Sequence, residues 1–107
     1  MAQLHAKPGQ VIDAGPLGAR LRTAKTTALV KEKHFEAIRL VVHEDVEISP
    51  HAVAGNITLY CLEGQVILKV PSSNIVLQAG QWVYLGRGEE HSVRGIVDSS
   101  LLLTILF

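Results

Sequence analysis

Two stretches decide how this chain folds. The first is Asp45-Val46-Glu47-Ile48-Ser49-Pro50-His51-Ala52-Val53-Ala54-Gly55-Asn56-Ile57-Thr58-Leu59-Tyr60-Cys61-Leu62-Glu63-Gly64. The second follows after fifteen intervening residues: Gly80-Gln81-Trp82-Val83-Tyr84-Leu85-Gly86-Arg87-Gly88-Glu89-Glu90-His91. Each holds a short run of branched and aromatic residues, Ile57 to Leu62 and Gln81 to Leu85, that suits a pleated, half-buried surface. Each run is bounded by glycines, which supply the positive φ that tight turns demand.

The same punctuation continues outward. Thr26 to Lys31 and Phe35 to His43 predict a β-hairpin turning at Glu32-Lys33-His34. Ala28 to Ile38 lacks Gly and Pro and competes as a helix on propensity, but the branched run Ile38-Arg39-Leu40-Val41-Val42 favours a strand. Further strands are expected at Val46 to Ser49, Val66 to Val70 and Ile75 to Leu77. His91 to Val97 and Leu101 to Leu106 are expected to close the chain as an antiparallel pair around Asp98-Ser99-Ser100. The first 24 residues carry Pro8-Gly9 and Gly15-Pro16-Leu17-Gly18, both turn signals. They predict an arm or short strands around Val11-Ile12 and Ala19 to Arg22.

The chain's 107 residues support one domain, 1–107. Val and Ile, 20 together, and short strands at regular spacing predict an all-β fold with two facing sheets and a pocket between them. Ten basic and ten acidic residues cancel, so nothing draws the chain to phosphate backbones or anionic membranes. No nucleic-acid partner is expected. No aliphatic stretch is long enough to span a bilayer, and residues 1–10 lack a signal-peptide core. With Cys61 as the single cysteine, no internal disulfide can form, and the expected compartment is the cytoplasm.

The glycines and histidines of the two opening stretches resemble the two sequence blocks of the cupin superfamily. The first block runs glycine, five residues, His-x-His, three or four residues, glutamate, six residues, glycine. The second runs glycine, five residues, Pro-x-Gly, two residues, histidine, three residues, asparagine. Every spacing fits without insertion, and His51, Gly64, Gly80, Gly88 and His91 match in identity. Asp45 stands for a glycine, Val53 for the second histidine, Ile57 for the glutamate, Gly86 for the proline and Gly95 for the asparagine. The resemblance covers residues 36–106. It implies a single RmlC-like cupin barrel, a double-stranded β-helix of jelly-roll type, with residues 1–24 as an N-terminal arm.

In that family three histidines and a glutamate hold a divalent metal. Here the resemblance carries over only His51 and His91 as metal ligands, for Fe, Mn, Ni or Zn. Residues two apart on a strand share a face, so Val53 and Ile57 present hydrocarbon where donors are expected. Two imidazoles without a third anchor hold such an ion weakly. A one-residue slip would turn the Asn56 amide inward as a hydrogen-bond partner. Cys61 shares the face of Ile57 but lies about 13 Å along the strand, at roughly 3.3 Å per residue. It reads as a small buried hydrophobe. Trp82 and Tyr84 share one face of their strand, and Arg39 shares a face with Val41 and His43.

The expected ligand-binding residues are therefore His51, Asn56, Cys61 and His91, around a small organic molecule in the barrel. Small cupins of this kind imply a homodimer. Two other readings follow from the resemblance: a metal-dependent dioxygenase or isomerase using His51 and His91, and a sensing module acting through a partner regulator.

Overall fold

A computed structural model describes residues 5–48 and 55–107. Alternating branched side chains form the strands, and glycines and turn residues end them. In chain order these are β1 (Thr27–Lys31), β2 (Phe35–Val42), β3 (Glu47–Ile48), β4 (Asn56–Glu63) and β5 (Gln65–Val70). They continue with β6 (Ser73–Gln78), β7 (Trp82–Leu85), β8 (Ser92–Gly95) and β9 (Ser99–Leu106). One sheet has the order β1-β2-β9-β4-β7 and the other β3-β8-β5-β6, with antiparallel ladders throughout. From β2 onward the chain passes repeatedly from one sheet to the other, which makes a jelly-roll barrel. Among the described residues, no helix is long and apolar enough to cross a membrane.

Strand register stacks the interior in layers. Across the large sheet these are Glu36–Ile105–Ile57–Leu85, then Ile38–Leu103–Leu59–Val83, then Leu40–Leu101–Cys61. The small sheet opposes them with Ile48–Val93–Leu68–Ile75 and with Val66–Leu77. Ile57, Leu59, Leu68, Leu101 and Val66 are essentially sealed from solvent. Each fully buried side chain of this size contributes about 1.5–3 kcal/mol.

Two corners fix how the sheets join. Between β4 and β5, Gly64 has φ +87°, and a Cβ there would strike the Asp98 carbonyl and the Ser99 side chain. The buried Ser99 Oγ accepts from the Gln65 N–H (2.9 Å) and donates to the Val97 carbonyl (2.8 Å). Between β2 and β3, Asp45 adopts φ 62° at the position where the family pattern has glycine. Aspartate tolerates the left-handed region better than most residues. Arg94 donates to its carboxylate at 3.1 Å.

Expectation and structure differ at two places. β8 and β9 do not pair with each other. β8 lies between β3 and β5, whereas β9 lies between β2 and β4. Residues 96–98 carry the chain across the barrel rather than around a hairpin, because both edges of β9 are taken by the longer β2 and β4 ladders. In the arm, Gly18–Thr23 is a 3₁₀ helix instead of a strand, and Val11-Ile12 forms none. The free edge of β1 is met by Ala6, whose N–H donates to the Leu29 carbonyl at 2.7 Å. The segment at Leu21 has no strand to join, and it buries only that leucine.

A bulge pins this arm. The β4–β9 register shifts between Cys61 and Glu63, so Leu62 is the extra residue and Glu63 pairs with Ser100. Regular alternation would point Glu63 into the barrel with Cys61; the bulge turns it to the outer face. There its carboxylate accepts from the N–H groups of Leu17 (2.9 Å) and Gly18 (3.1 Å) and from Ser100 Oγ (2.5 Å). Arg39 lies on the same outer face, only 6% exposed, and donates to the carbonyls of Gly15 (2.9 Å) and Asp13 (3.2 Å). Burial pushes the Glu63 carboxyl up. The hydrogen bonds from Leu17, Ser100 and Gly18 and the Arg39 charge outweigh that and hold it below its ordinary value.

A carboxylate depressed in the folded state contributes stability above its unfolded pKa, near 4.3 for glutamate, and loses it as pH falls through the folded value. The urea midpoint is therefore expected to drop from about pH 4.3 downward, with faster proteolysis of residues 10–24. In Glu63→Gln the acid-side drop should be smaller. Parallel pH curves for the two proteins would show that the arm contact contributes nothing to acid stability.

Candidate functional site

Where the deep layers of the barrel pack solidly, the other end leaves a cavity of about 320 Å³ that is partly open to solvent. Strand alternation explains its lining. From the large sheet come Ile38 and Leu40 of β2, Ile57 and Leu59 of β4, and Leu103 and Ile105 of β9. From the small sheet come Ile48 and Val93. Eight aliphatic side chains thus make most of the wall. Among the described residues, polar groups reach it from Thr26, Glu36, His91 and Ser92.

Each polar residue has a structural reason to be there. Glu36 enters β2 in the inward register of Ile38 and Leu40, and is half-buried. Thr26 precedes β1, and its Oγ1 accepts the Val41 N–H at 2.9 Å. His91 ends the loop that leads into β8. Its Nδ1 lies 3.2 Å from the Glu89 carbonyl, which can only accept. Nδ1 therefore carries the proton, and in the neutral ring Nε2 carries the lone pair. His91 and Ser92 also border an outer groove with Lys69, Pro71 and Glu90, so they form part of the wall between cavity and surface.

Of the residues expected from sequence, His91 lines the cavity. His51 lies outside the described residues, as does Val53. Asn56 is not brought to the cavity. The ladders run Ile57 opposite both Leu85 and Ile105 without a slip, which keeps Ile57 inward and sends Asn56 to the other face beside Leu106. Cys61 does face inward, but at the packed end, wholly buried, with its Sγ donating to the Glu63 carbonyl at 3.4 Å. Burial pushes its thiol up, and the Glu63 charge adds to this. Trp82 and Tyr84 point outward, 59% and 55% exposed, so Val83 and Leu85 are the inward residues of β7.

Glu36 and Thr26 were not expected. Glu36 alternates with Ile38, Leu40 and Val42, which is a usable signal, but the opposite face (Phe35, Ala37, Arg39, Val41) is nearly as apolar. The arm meets that face at Arg39, so alternation alone names no winner.

The divalent metal that the resemblance implies does not fit the described donors. Ile57, at the position where the resembling pattern has a glutamate, presents hydrocarbon to the cavity. Among the described residues, no group of three His, Cys, Asp or Glu side chains stands close enough to hold an ion.

No protein-family model matches the chain, and no curated protein matches it. Solved structures do. A conserved protein of unknown function from Streptococcus pyogenes superposes with a TM-score of 0.75 at 15% identity, over 99% of this chain and 94% of that one. A cupin superfamily protein from Desulfitobacterium hafniense gives 0.77 at 13% identity, over 91% and 94%. An RmlC-like cupin from Desulfovibrio desulfuricans gives 0.74 at 18% identity, over 91% and 97%. The chain has the fold of a small RmlC-like cupin.

The placement of Cys61 has a direct consequence. A thiol that is buried and held protonated is a poor nucleophile. In the native protein Cys61 is expected to resist an aromatic disulfide reagent at pH 8, and to react fully once urea unfolds the chain. Rapid native labelling would put the thiol at an accessible surface instead.

Proposed function

We propose that this protein binds a small organic molecule in the barrel cavity. The observation that carries this reading is the composition of the wall: eight aliphatic side chains with a few polar groups at fixed positions. Pockets for small ligands have this character, with apolar area for affinity and sparse polar atoms for orientation. The volume sets the size. A cavity of about 150 Å³ lined by aliphatic groups holds a benzene ring. One of about 320 Å³ takes a ring with a short substituent. The Thr26 hydroxyl and the Glu36 carboxylate are the groups for orientation, with the His91 ring in the same wall.

A panel of single-ring compounds in a thermal-unfolding assay tests this. A ligand at a hundred times its Kd stabilises the folded state by about 2.7 kcal/mol. For a chain of this length that raises Tm by more than about 10 °C. Ile38→Phe, which fills the cavity from β2, should abolish the rise while leaving a cooperative unfolding transition. If no compound shifts Tm, or if Ile38→Phe responds as the unmodified protein does, the cavity is not the binding site.

A further inference from the structure

Among the described residues, Glu36 is the only acidic side chain in the cavity wall, and no lysine or arginine lines it. The carboxylate is half-buried beside Ile38 and Ile105. Among the described residues it has neither a hydrogen-bond donor nor an ion-pair partner; the ion pairs there join His43 to Asp98, Lys69 to Glu47 and Arg94 to Asp45. Lys31 stands opposite Glu36 in the β1–β2 register, but it is exposed, lies outside the cavity wall and makes no ion pair with it. Several other carboxylates in the fold are engaged, though Glu36 is the one that lines the cavity. Glu63 holds the arm, and Asp98 accepts from the Glu44 N–H at 2.8 Å.

We infer that the ligand of this barrel is an organic cation, an amine or amidine on a small apolar body, with its charged nitrogen on Glu36. The inference rests on the reading of the cavity as a ligand site and adds the class of ligand. A carboxylate at the edge of an aliphatic cavity with no donor from the protein is matched by a ligand ammonium, which supplies opposite charge and donors only. A ligand carboxylate in the same place meets like charge in a setting of low polarity. The aliphatic layers Ile38–Leu103–Leu59 and Ile105–Ile57 then cover the hydrocarbon part of the molecule.

Titration calorimetry with three probes of matched shape tests this on the full chain at pH 8: phenethylamine, 2-phenylethanol and phenylacetate. The amine is expected to bind at least about tenfold more tightly than the alcohol, which corresponds to about 1.4 kcal/mol, and the carboxylate most weakly. Glu36→Gln should bring the amine down to the alcohol's affinity and leave the alcohol unchanged. Glu36→Lys should reverse the order in favour of phenylacetate, and thermal melts confirm that both variants fold. Equal binding of amine and alcohol, unmoved by Glu36→Gln, overturns the cation preference while leaving the cavity a binding site. Failure of all three probes, with the protein folded, overturns both.

Discussion

Two of the routes by which the chain changes sheets meet at one point, where the β4–β5 corner at Gly64 lies against the β8–β9 crossing at Asp98-Ser99. A side chain at Gly64 would occupy the space of the Ser99 hydroxyl, and that hydroxyl satisfies Gln65 and Val97. At this close approach the chain leaves the large sheet into β5 and later re-enters it as β9, between β2 and β4. The cavity depends on the same corner. Because Cys61, Leu101 and Val66 pack tightly beside it, the free volume collects at the other end of the barrel, between Glu36, Ile57 and Ile48.

The extra residue at Leu62 gives β4 two functions. Upstream of it, Ile57 and Leu59 face the cavity. Downstream, Glu63 has been turned outward to hold the arm with Arg39 and Ser100. β2 is used on both faces in a similar way. Glu36, Ile38 and Leu40 line the cavity, while Arg39 and Val41 lie buried on the opposite face. The arm is therefore anchored, through Arg39, to the back of the strand that supplies the cavity's carboxylate.

Much of the fold was legible in the residues. The spacing of Gly64, Gly80, Gly88 and His91 pointed to a cupin barrel, and the structural neighbours share that fold. Gly64, Gly80 and Gly88 all adopt positive φ, and Asp45 supplies the same backbone geometry in place of a glycine. Strand positions followed from runs of branched residues, and the hairpin of β1 and β2 from the turn between them. The site was legible only in part. His91 was placed by its spacing from Gly80, whereas Glu36 sits in no motif and went unnoticed.

The sequence by itself determined where strands begin and end, because turn chemistry and side-chain branching act over a few residues. It also determined that an isoleucine, Ile57, stands where the resembling sequence pattern has a glutamate. Only the tertiary structure decided which strand lies beside which, and so that β8 and β9 belong to different sheets. It alone decided which face of β2 turns inward, since the other face, met by the arm at Arg39, lacks the polar alternation that would have shown it. The same holds for Asn56, Cys61 and Glu63. Their directions are set by ladder register and a single bulge, and those follow from pairing with strands distant in the chain.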